Sequence, residues 1–483
     1  MKLTKVIGIN EKKCVSCHQC ISVCPVKFAN DGHEDVVHIN EDLCIGCGQC
    51  VKSCTHGARI LIDDFDNMLS DLEKGTKMIA IVAPSIASNF PDNYLNINGW
   101  LKSLGIEAFF DVSFGAELTV KSYIEHIKAN KPKTVISQPC PAIVSYIEIY
   151  QPHLLKYLAP ADSPMMHTIK MVKKFYPQYS SYKIAVISPC VAKKREFNEI
   201  GLGDYNVTMI KIKEHFEKND IDINQYQAVD YSNPPAERAV LFSTPGGLLE
   251  TAEREIPGIR SKTRKIEGPG LIYDYLIHLK ESINKGFNPM MIDCLNCEMG
   301  CNGGPATPNK YKSHDELEFY IEKRKESQLK KYNNFEKNNN TQNELENNIN
   351  NYWEEDLYSR SYVDNSENYS QKIKEPSESE FQSVYKLMNK HNKEDFKNCS
   401  SCGYNSCEQM AKAIFNGLNR KENCHFFMQS KISGELNSIL DLKMNELEKK
   451  NEQIIKQKEE IINHMENVVG FISNVRGIIN SNN

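Results

Sequence analysis

No stretch of this chain stays apolar for the roughly 20 residues that a membrane-spanning helix needs. The longest apolar runs, such as MIAIVA at 78–83, stop far short of that. Nor is there the basic stripe of a nucleic-acid binder: 58 basic residues stand against 63 acidic ones, a net charge of -5. The first residues, MKLTKVIGINEKK, lack the apolar core of a secretory signal. No kinase, cyclase or DNA-binding motif follows the last cysteine. These absences lead to the expectation of a soluble, cytoplasmic protein with no nucleic-acid partner and no membrane span. Its 483 residues suit about three domains of ~150 residues each.

What is plentiful is cysteine, at seventeen residues. Cytosolic thiols seldom form structural disulfides, so clustered ones more often bind metal or do redox work. The chain divides by texture. Residues 1–62 are cysteine-dense and repetitive, and residues 63–325 alternate β-rich apolar runs with amphipathic helical patterns. Residues 326–377 form a polar, Asn-rich linker whose LKKYNNFEKNNNTQNELENN composition is too polar to bury a core. Within it, YSRSYVDNSENY points to a partial return onto the preceding domain. A second cysteine cluster occupies 378–430, and a heptad pattern fills 431–483.

CVSCHQCISVCP (14–25) and CIGCGQCVKSCT (44–55) repeat the spacing C-x2-C-x2-C-x3-C. This resembles the bacterial ferredoxin run, in which the fourth cysteine serves the other cluster. The resemblance implies one 4Fe–4S cubane on Cys14, Cys17, Cys20 and Cys54, and another on Cys44, Cys47, Cys50 and Cys24. Zinc would not call for two interleaved quartets.

In the central region three apolar runs end in unusual turns. KTVISQPCPA (133–142) delivers Cys140, YKIAVISPCVAKK (182–194) delivers Cys190, and RAVLFSTPGGLLETA (238–252) delivers Gly246 and Gly247. Such runs read as buried parallel strands, and ligand sites lie beyond the carboxyl ends of strands in these sheets. A fourth element, DCLNCEMGCNGGPAT (293–307), adds Cys297 and Cys301 before a Gly-Gly pair. Two single cysteines and one C-x3-C make a quartet.

In this order the turns resemble the catalytic domain of iron-only (FeFe) hydrogenases. That resemblance implies an α/β multidomain protein: a ferredoxin-like double-cubane domain, an α/β hydrogenase domain with parallel sheets, a small helical 4Fe–4S domain and a C-terminal coiled coil. It implies that Cys140, Cys190, Cys297 and Cys301 hold the cubane of an H-cluster, and that Cys301 bridges to a di-iron subcluster carrying CO, cyanide and a dithiolate. It further implies that Lys193 hydrogen-bonds a cyanide and that Thr244, Pro245, Gly246 and Gly247 line the di-iron pocket. Four departures stand out. Pro139 occupies the place of the proton-relaying cysteine, and Lys-Ser-Tyr at 121–123 stands where acids are usual. Ser188 replaces a methionine and Met165 a glutamine. Pocket construction is kept while proton delivery is damaged, as in the sensory branch of the family. Cys294 is left over, either a substitute proton donor or an ordinary free thiol.

NCSSCGYNSCEQMAKAIFNGLNRKENC (398–424) spaces Cys399, Cys402, Cys407 and Cys424 as C-x2-C-x4-C-x16-C. It resembles the 4Fe–4S domain of Rnf-type and corrinoid iron–sulfur proteins. A lone quartet also suits zinc, but its place after a hydrogenase-like domain favours iron. Beyond it, Leu440, Leu447, Ile454, Ile461, Val468 and Val475 fall seven apart, with Met444, Asn451, Lys458, Met465, Ile472 and Ile479 four later. This seam suits a dimeric coiled coil, with Asn451 and Lys458 fixing register.

The expected function is a slow, H2- or redox-sensing hydrogenase that passes electrons through its clusters and reports through a homodimeric coiled coil to a signalling partner. The alternatives are an ordinary hydrogenase, 2H⁺ + 2e⁻ ⇌ H2, linked to ferredoxin or a similar carrier, and a cubane-only, non-catalytic relative. Hydrogenase maturases would be partners wherever the di-iron unit is loaded.

Overall fold

The computed structural model describes residues 3–336 and 341–481. The chain forms two units. The first runs to Phe381 and takes in Asn398–Asn419; the second comprises Gln382–Lys397 and the chain from Arg420 onward.

In the first unit, the cysteine repeats are framed by two small antiparallel ladders. One pairs β1 (Ile7–Ile9) with β4 (Arg59–Leu61), and the other pairs β2 (Asn30–Asp31) with β3 (His38–Ile39). Next comes a four-stranded sheet of β5 (Met78–Val82), β6 (Ile106–Asp111), β8 (Lys183–Ser188) and β9 (Tyr205–Thr208). Its order is β6-β5-β8-β9, all parallel. Every residue of β5 is buried, as a continuous apolar run requires when both faces are covered. One face packs on Trp100, Ile97 and Phe216; the other packs on Ile169, Val172 and Phe114. A second, three-stranded parallel sheet has the order β10 (Thr263–Glu267), β11 (Met291–Leu295), β7 (Val135–Ile136). Strands β7 and β8, which lead to Cys140 and Cys190, therefore belong to different sheets.

The structure departs from the sequence reading in three places. RAVLFSTPGGLLETA is not a strand but a 3-10 helix, Ala239–Ser243, followed by an α-helix, Gly247–Glu255. A short apolar run buried on all sides does not by itself distinguish strand from helix. Here a Cβ on Gly247 would fall 1.9 Å from the Leu241 carbonyl oxygen, so the two helical turns pack backbone against backbone.

The polar linker expected at 326–377 is instead largely part of the core. Helix His314–Glu336 crosses its start, and Arg324 on that helix pairs with Asp111 at 2.5 Å, both buried. Tyr332, Leu345, Ile349 and Tyr358 join the apolar cluster on one face of the four-stranded sheet. Spaced tyrosines and isoleucines supply burial that an Asn-rich average conceals. Residues 337–340, the heart of the Asn tract, lie outside the described residues. The chain then returns along the first unit: Tyr358 O accepts from Asp162 N at 2.8 Å, and Tyr362 Oη donates to Ala159 O at 2.6 Å.

Lastly, the domain expected at 378–430 is divided, since Asn398–Asn419 belongs to the first unit. In the second unit, one helix runs His425–Ser481, 57 residues, with Leu440, Leu447, Ile454, Ile461 and Val468 exposed along it. Among the described residues no helix is long and apolar enough to cross a membrane.

Candidate metal centre

The two N-terminal repeats adopt the same turn. Ser16 and His18 in the first have left-handed φ of +51° and +59°; Gly46 and Gly48 occupy the matching positions of the second with +73° and +74°. In each repeat a short helix follows, Gln19–Ser22 or Gln49–Ser53, carrying the third cysteine as its second residue. Glycine is required in the second repeat by packing, because a Cβ on Gly48 would lie 2.3 Å from Pro305 Cγ. Arg195 completes that junction, donating to Cys44 O at 2.6 Å and Thr4 O at 3.1 Å.

Burial and neighbouring thiolates set the protonation of these cysteines. Burial first, then the charge of Cys44, pushes the Cys24 thiol up to about 12. Burial and the charges of Cys24, Cys50 and Cys44 raise Cys47. Burial raises Cys20 too, with Cys17 and Cys14 acting in the same direction. At Cys54, burial is outweighed by backbone N–H groups from His56 to Arg59, which hold the sulfur toward its thiolate form. Arg59, which no sequence pattern singled out, is buried and donates from Nη2 to Cys20 Sγ at 3.2 Å and Asn30 Oδ1 at 3.4 Å. Its Nη1 finds no acceptor among the described residues. A cluster sulfur would supply one.

The central quartet is assembled from both sheets. Cys140 stands at the N-terminus of helix Pro141–Tyr150, with proline at the first helical position, where no N–H is needed. Cys190 follows β8 in a tight turn, its N–H donating to Ser188 Oγ at 3.0 Å and its carbonyl accepting from Asn206 Nδ2 at 3.0 Å. Cys297 and Cys301 follow β11. A Cβ on Gly304 would sit 2.8 Å from Pro189 O, so the Cys301 turn lies directly on the Cys190 turn. Asn296 Nδ2 donates to Cys297 Sγ at 3.6 Å.

The four thiols act on one another. Burial, then the charge of Cys140, pushes Cys190 up to about 11. Burial with Cys140 and Cys190 pushes Cys301 up to about 12. Cys297 is raised by burial and by all three of the others. Thiols crowded like this hold their protons unless a cation compensates, and metal binding is what displaces those protons. Among the described residues no three His, Cys, Asp or Glu side chains close in on a single ion position. Four sulfurs that act on one another are a donor set that a 4Fe–4S cluster would use.

Beside this quartet lies a cavity lined by Cys190, Cys301, Lys193, Pro139, Met165 and Ser188, with apolar walls from Val112, Phe242 and Leu295. Among the described residues no Asp, Glu or His lines it. Lys193 Nζ donates to Pro139 O at 3.1 Å and Glu196 Oε2 at 2.9 Å. An ammonium has three N–H donors, so one is left for a ligand in the cavity. Glu196 is fully buried; burial opposes its charge, but Lys193 and Arg360 together hold its carboxyl below the usual range. Arg360, from the returning segment, bridges Glu196 at 2.9 Å and Glu199 at 2.7 Å. The only sequence signal for it was YSRSYV.

Two expected residue roles fall elsewhere. Thr244, Pro245, Gly246 and Gly247 line a separate polar recess with Glu250, Arg260 and Lys265, and the neighbouring Phe242 and Ser243 reach the cavity in their stead. The stretch nonetheless packs on the Cys301 turn: a Cβ on Gly300 would lie 3.0 Å from Pro245 Cδ, and Asn302 Nδ2 donates to Thr244 Oγ1 at 3.1 Å. Cys294 sits on β11 fully buried, donating to Ser137 O at 3.5 Å, and does not line the cavity. It is a core thiol.

Residues 76–305 match the family model described as "Iron only hydrogenase large subunit, C-terminal domain". Residues 76–305 form an iron-only hydrogenase large-subunit-like domain. Residues 6–55 match the "4Fe-4S dicluster domain", and 397–426 match a model for an Fe-S cluster segment. Iron hydrogenase 1 of Clostridium pasteurianum is 26% identical over 52% of this chain and 51% of its own length, so the chain spans about half of that relative. A cytosolic Fe-S cluster assembly factor of Drosophila persimilis is 23% identical over 30% of this chain and 34% of its own. Among solved structures, the [FeFe]-hydrogenase HydA1 from Chlamydomonas reinhardtii is 15% identical, covering 63% of this chain and all of that one at a TM-score of 0.43.

Proposed function

We propose that this protein is an H2- or redox-responsive iron–sulfur protein whose hydrogenase chemistry is slow. The observation that carries the reading is the cavity between Cys301 and Lys193, which keeps a cation for an anionic ligand but has no carboxylate, imidazole or free thiol donor in its wall. A di-iron subcluster held there on Cys301 would supply the reaction of H2. Lys193 orients and neutralises, while the apolar wall excludes water. Proton delivery by a positioned side chain contributes typically ~10²–10⁴-fold, and Pro139 has no ionisable atom to provide it. Cys140, Cys190 and Cys297 complete the cubane, and the two N-terminal quartets carry electrons. Reporting through a dimer formed by the long C-terminal helix belongs to the same reading, as does cytoplasmic location.

The likeness to an assembly factor favours one other reading, in which the quartet holds a cubane and nothing more. Infrared spectra of protein matured with a hydrogenase's own maturases separate the two. CO and cyanide stretching bands are expected. Their absence, when a control hydrogenase loads in parallel, removes the hydrogen-linked reading and leaves the cubane-only one.

A further inference from the structure

The C-terminal cysteine segment is far from the N-terminal repeats in sequence, yet it is docked on the first of them. Gly403, next to Cys402, has φ +90°, and a Cβ there would lie 2.8 Å from Ile21 Cβ and 3.0 Å from His18 O. Ile21 is next to Cys20. The touching pair Ile21 and Gly403 is therefore flanked on each side by a cysteine of a proposed cluster.

A half-buried clamp holds this contact. Lys27 Nζ donates to Ile21 O at 3.1 Å, Ser22 O at 2.6 Å and Gly403 O at 3.1 Å. All three ammonium donors are used on carbonyls from the two segments. Around the clamp, Phe28 and Tyr404 pack with ring centroids 5.9 Å apart, Tyr404 being fully buried. Gly32 N donates to Leu418 O at 2.8 Å, and Lys374 N donates to Asn416 Oδ1 at 2.7 Å. The Lys27 clamp and aromatic pair near Gly403, with the bonds to Asn416 and Leu418 at the segment's C-terminal end, mark a fixed seat.

The second repeat faces the other way. Gly46 and Gly48 lie against Ala192, Arg195 and Pro305 of the hydrogenase-like domain. The packing thus gives a spatial order: central quartet, second repeat, first repeat, C-terminal segment.

We propose that the C-terminal cysteine module is the direct redox neighbour of the first N-terminal repeat, and so the outer end of the electron route. The step is the exchange of one electron, lost by a reduced cluster on one side of the Ile21–Gly403 contact and gained by an oxidised one on the other. No bond forms or breaks and no proton moves. This rests on the iron–sulfur reading of both cysteine sets.

The test uses full-length, iron-reconstituted protein, reduced and followed by electron paramagnetic resonance together with iron and zinc analysis. Cys402→Ser should lower iron by about four atoms per chain, as loss of one 4Fe–4S cluster requires, and the remaining ferredoxin-type signals should lose their spin–spin broadening. Lys27→Gln keeps every cysteine; it should leave iron content unchanged while weakening the same broadening. Iron lost in Cys402→Ser with no change in the remaining signals overturns the adjacency while leaving the iron–sulfur reading intact. Zinc in place of iron at the C-terminal module overturns that reading, and the proposal with it.

Discussion

Replacing Arg59 with methionine should lower the reduction potential of the first-repeat cluster. The guanidinium is buried, and its Nη2 lies 3.2 Å from Cys20 Sγ. Its positive charge favours the more negative, reduced state. For unit charges at the 3.2 Å separation, an effective dielectric of about 20 gives about 5 kcal/mol. When roughly a quarter of the added electron's charge is assigned to the Cys20 corner, the effect is about 1.3 kcal/mol, or about 55 mV for a one-electron couple. This is a floor, because charge elsewhere on the cluster also feels the guanidinium. Methionine matches the length of the stem and removes the charge, and Arg59→Lys should fall between the two. The assay is a potentiometric titration read by electron paramagnetic resonance, with iron content confirming that the cluster is present. An unchanged or higher potential at full iron content would refute the assignment.

Arg360→Met leaves Glu196 and Glu199 without their shared cation inside the protein, and breaking a buried pair costs about 3–5 kcal/mol. The denaturation midpoint should fall accordingly, with Arg360→Lys milder; an unchanged midpoint would show the returning segment to be dispensable. Glu148 has a carboxyl pushed from 4.5 up to about 7 by burial and then by Glu199. The folded state therefore binds its proton more tightly than the unfolded one, so this group's contribution is complete below about pH 4.5 and is lost as pH rises through about 7. That amounts to about 3 kcal/mol at 1.36 kcal/mol per pH unit, and Glu148→Gln should flatten the decline seen in urea unfolding between pH 5 and 8. Ile454→Asp with Ile461→Asp places charge in the exposed seam of helix His425–Ser481. Light scattering should find the unaltered chain dimeric and the variant monomeric, and a monomeric unaltered chain would end the coiled-coil proposal.

The cysteine spacing made the cluster-bearing turns legible, because sulfur-to-iron geometry restricts how far apart ligands stand along a chain. The equivalence of Gly46 and Gly48 with Ser16 and His18 follows from the same repeat. Strands β7 and β8 were legible as buried apolar runs. The helical character of 239–255 was not, since a run of four apolar residues packed against backbone gives no period to read. Arg59, Lys27 and Arg360 were hidden for another reason. Each is a single cation with at least one partner on a distant segment, and no local pattern records a contact such as Lys27 to Gly403. The polar tract misled because composition averages over the few tyrosines and isoleucines that do the burying.

Pro139 is at once the departure from the family pattern and a working part of the cavity. Its carbonyl accepts from Lys193 Nζ at 3.1 Å, and its ring lies in the cavity wall. The hydrogen bond belongs to the main chain, so it survives a change of side chain. Pro139→Cys therefore adds an ionisable group to the wall while leaving the anchor of Lys193 in place. If proton delivery is the missing step, H2 evolution by the matured protein should rise by up to ~10²–10⁴-fold, with the infrared bands of the loaded cavity largely preserved. Unchanged turnover with preserved bands would place the limitation elsewhere, and the missing relay would no longer explain a slow enzyme. A rise would make Pro139 the residue that keeps the site slow, which is what a reporter of hydrogen, as opposed to a consumer of it, requires.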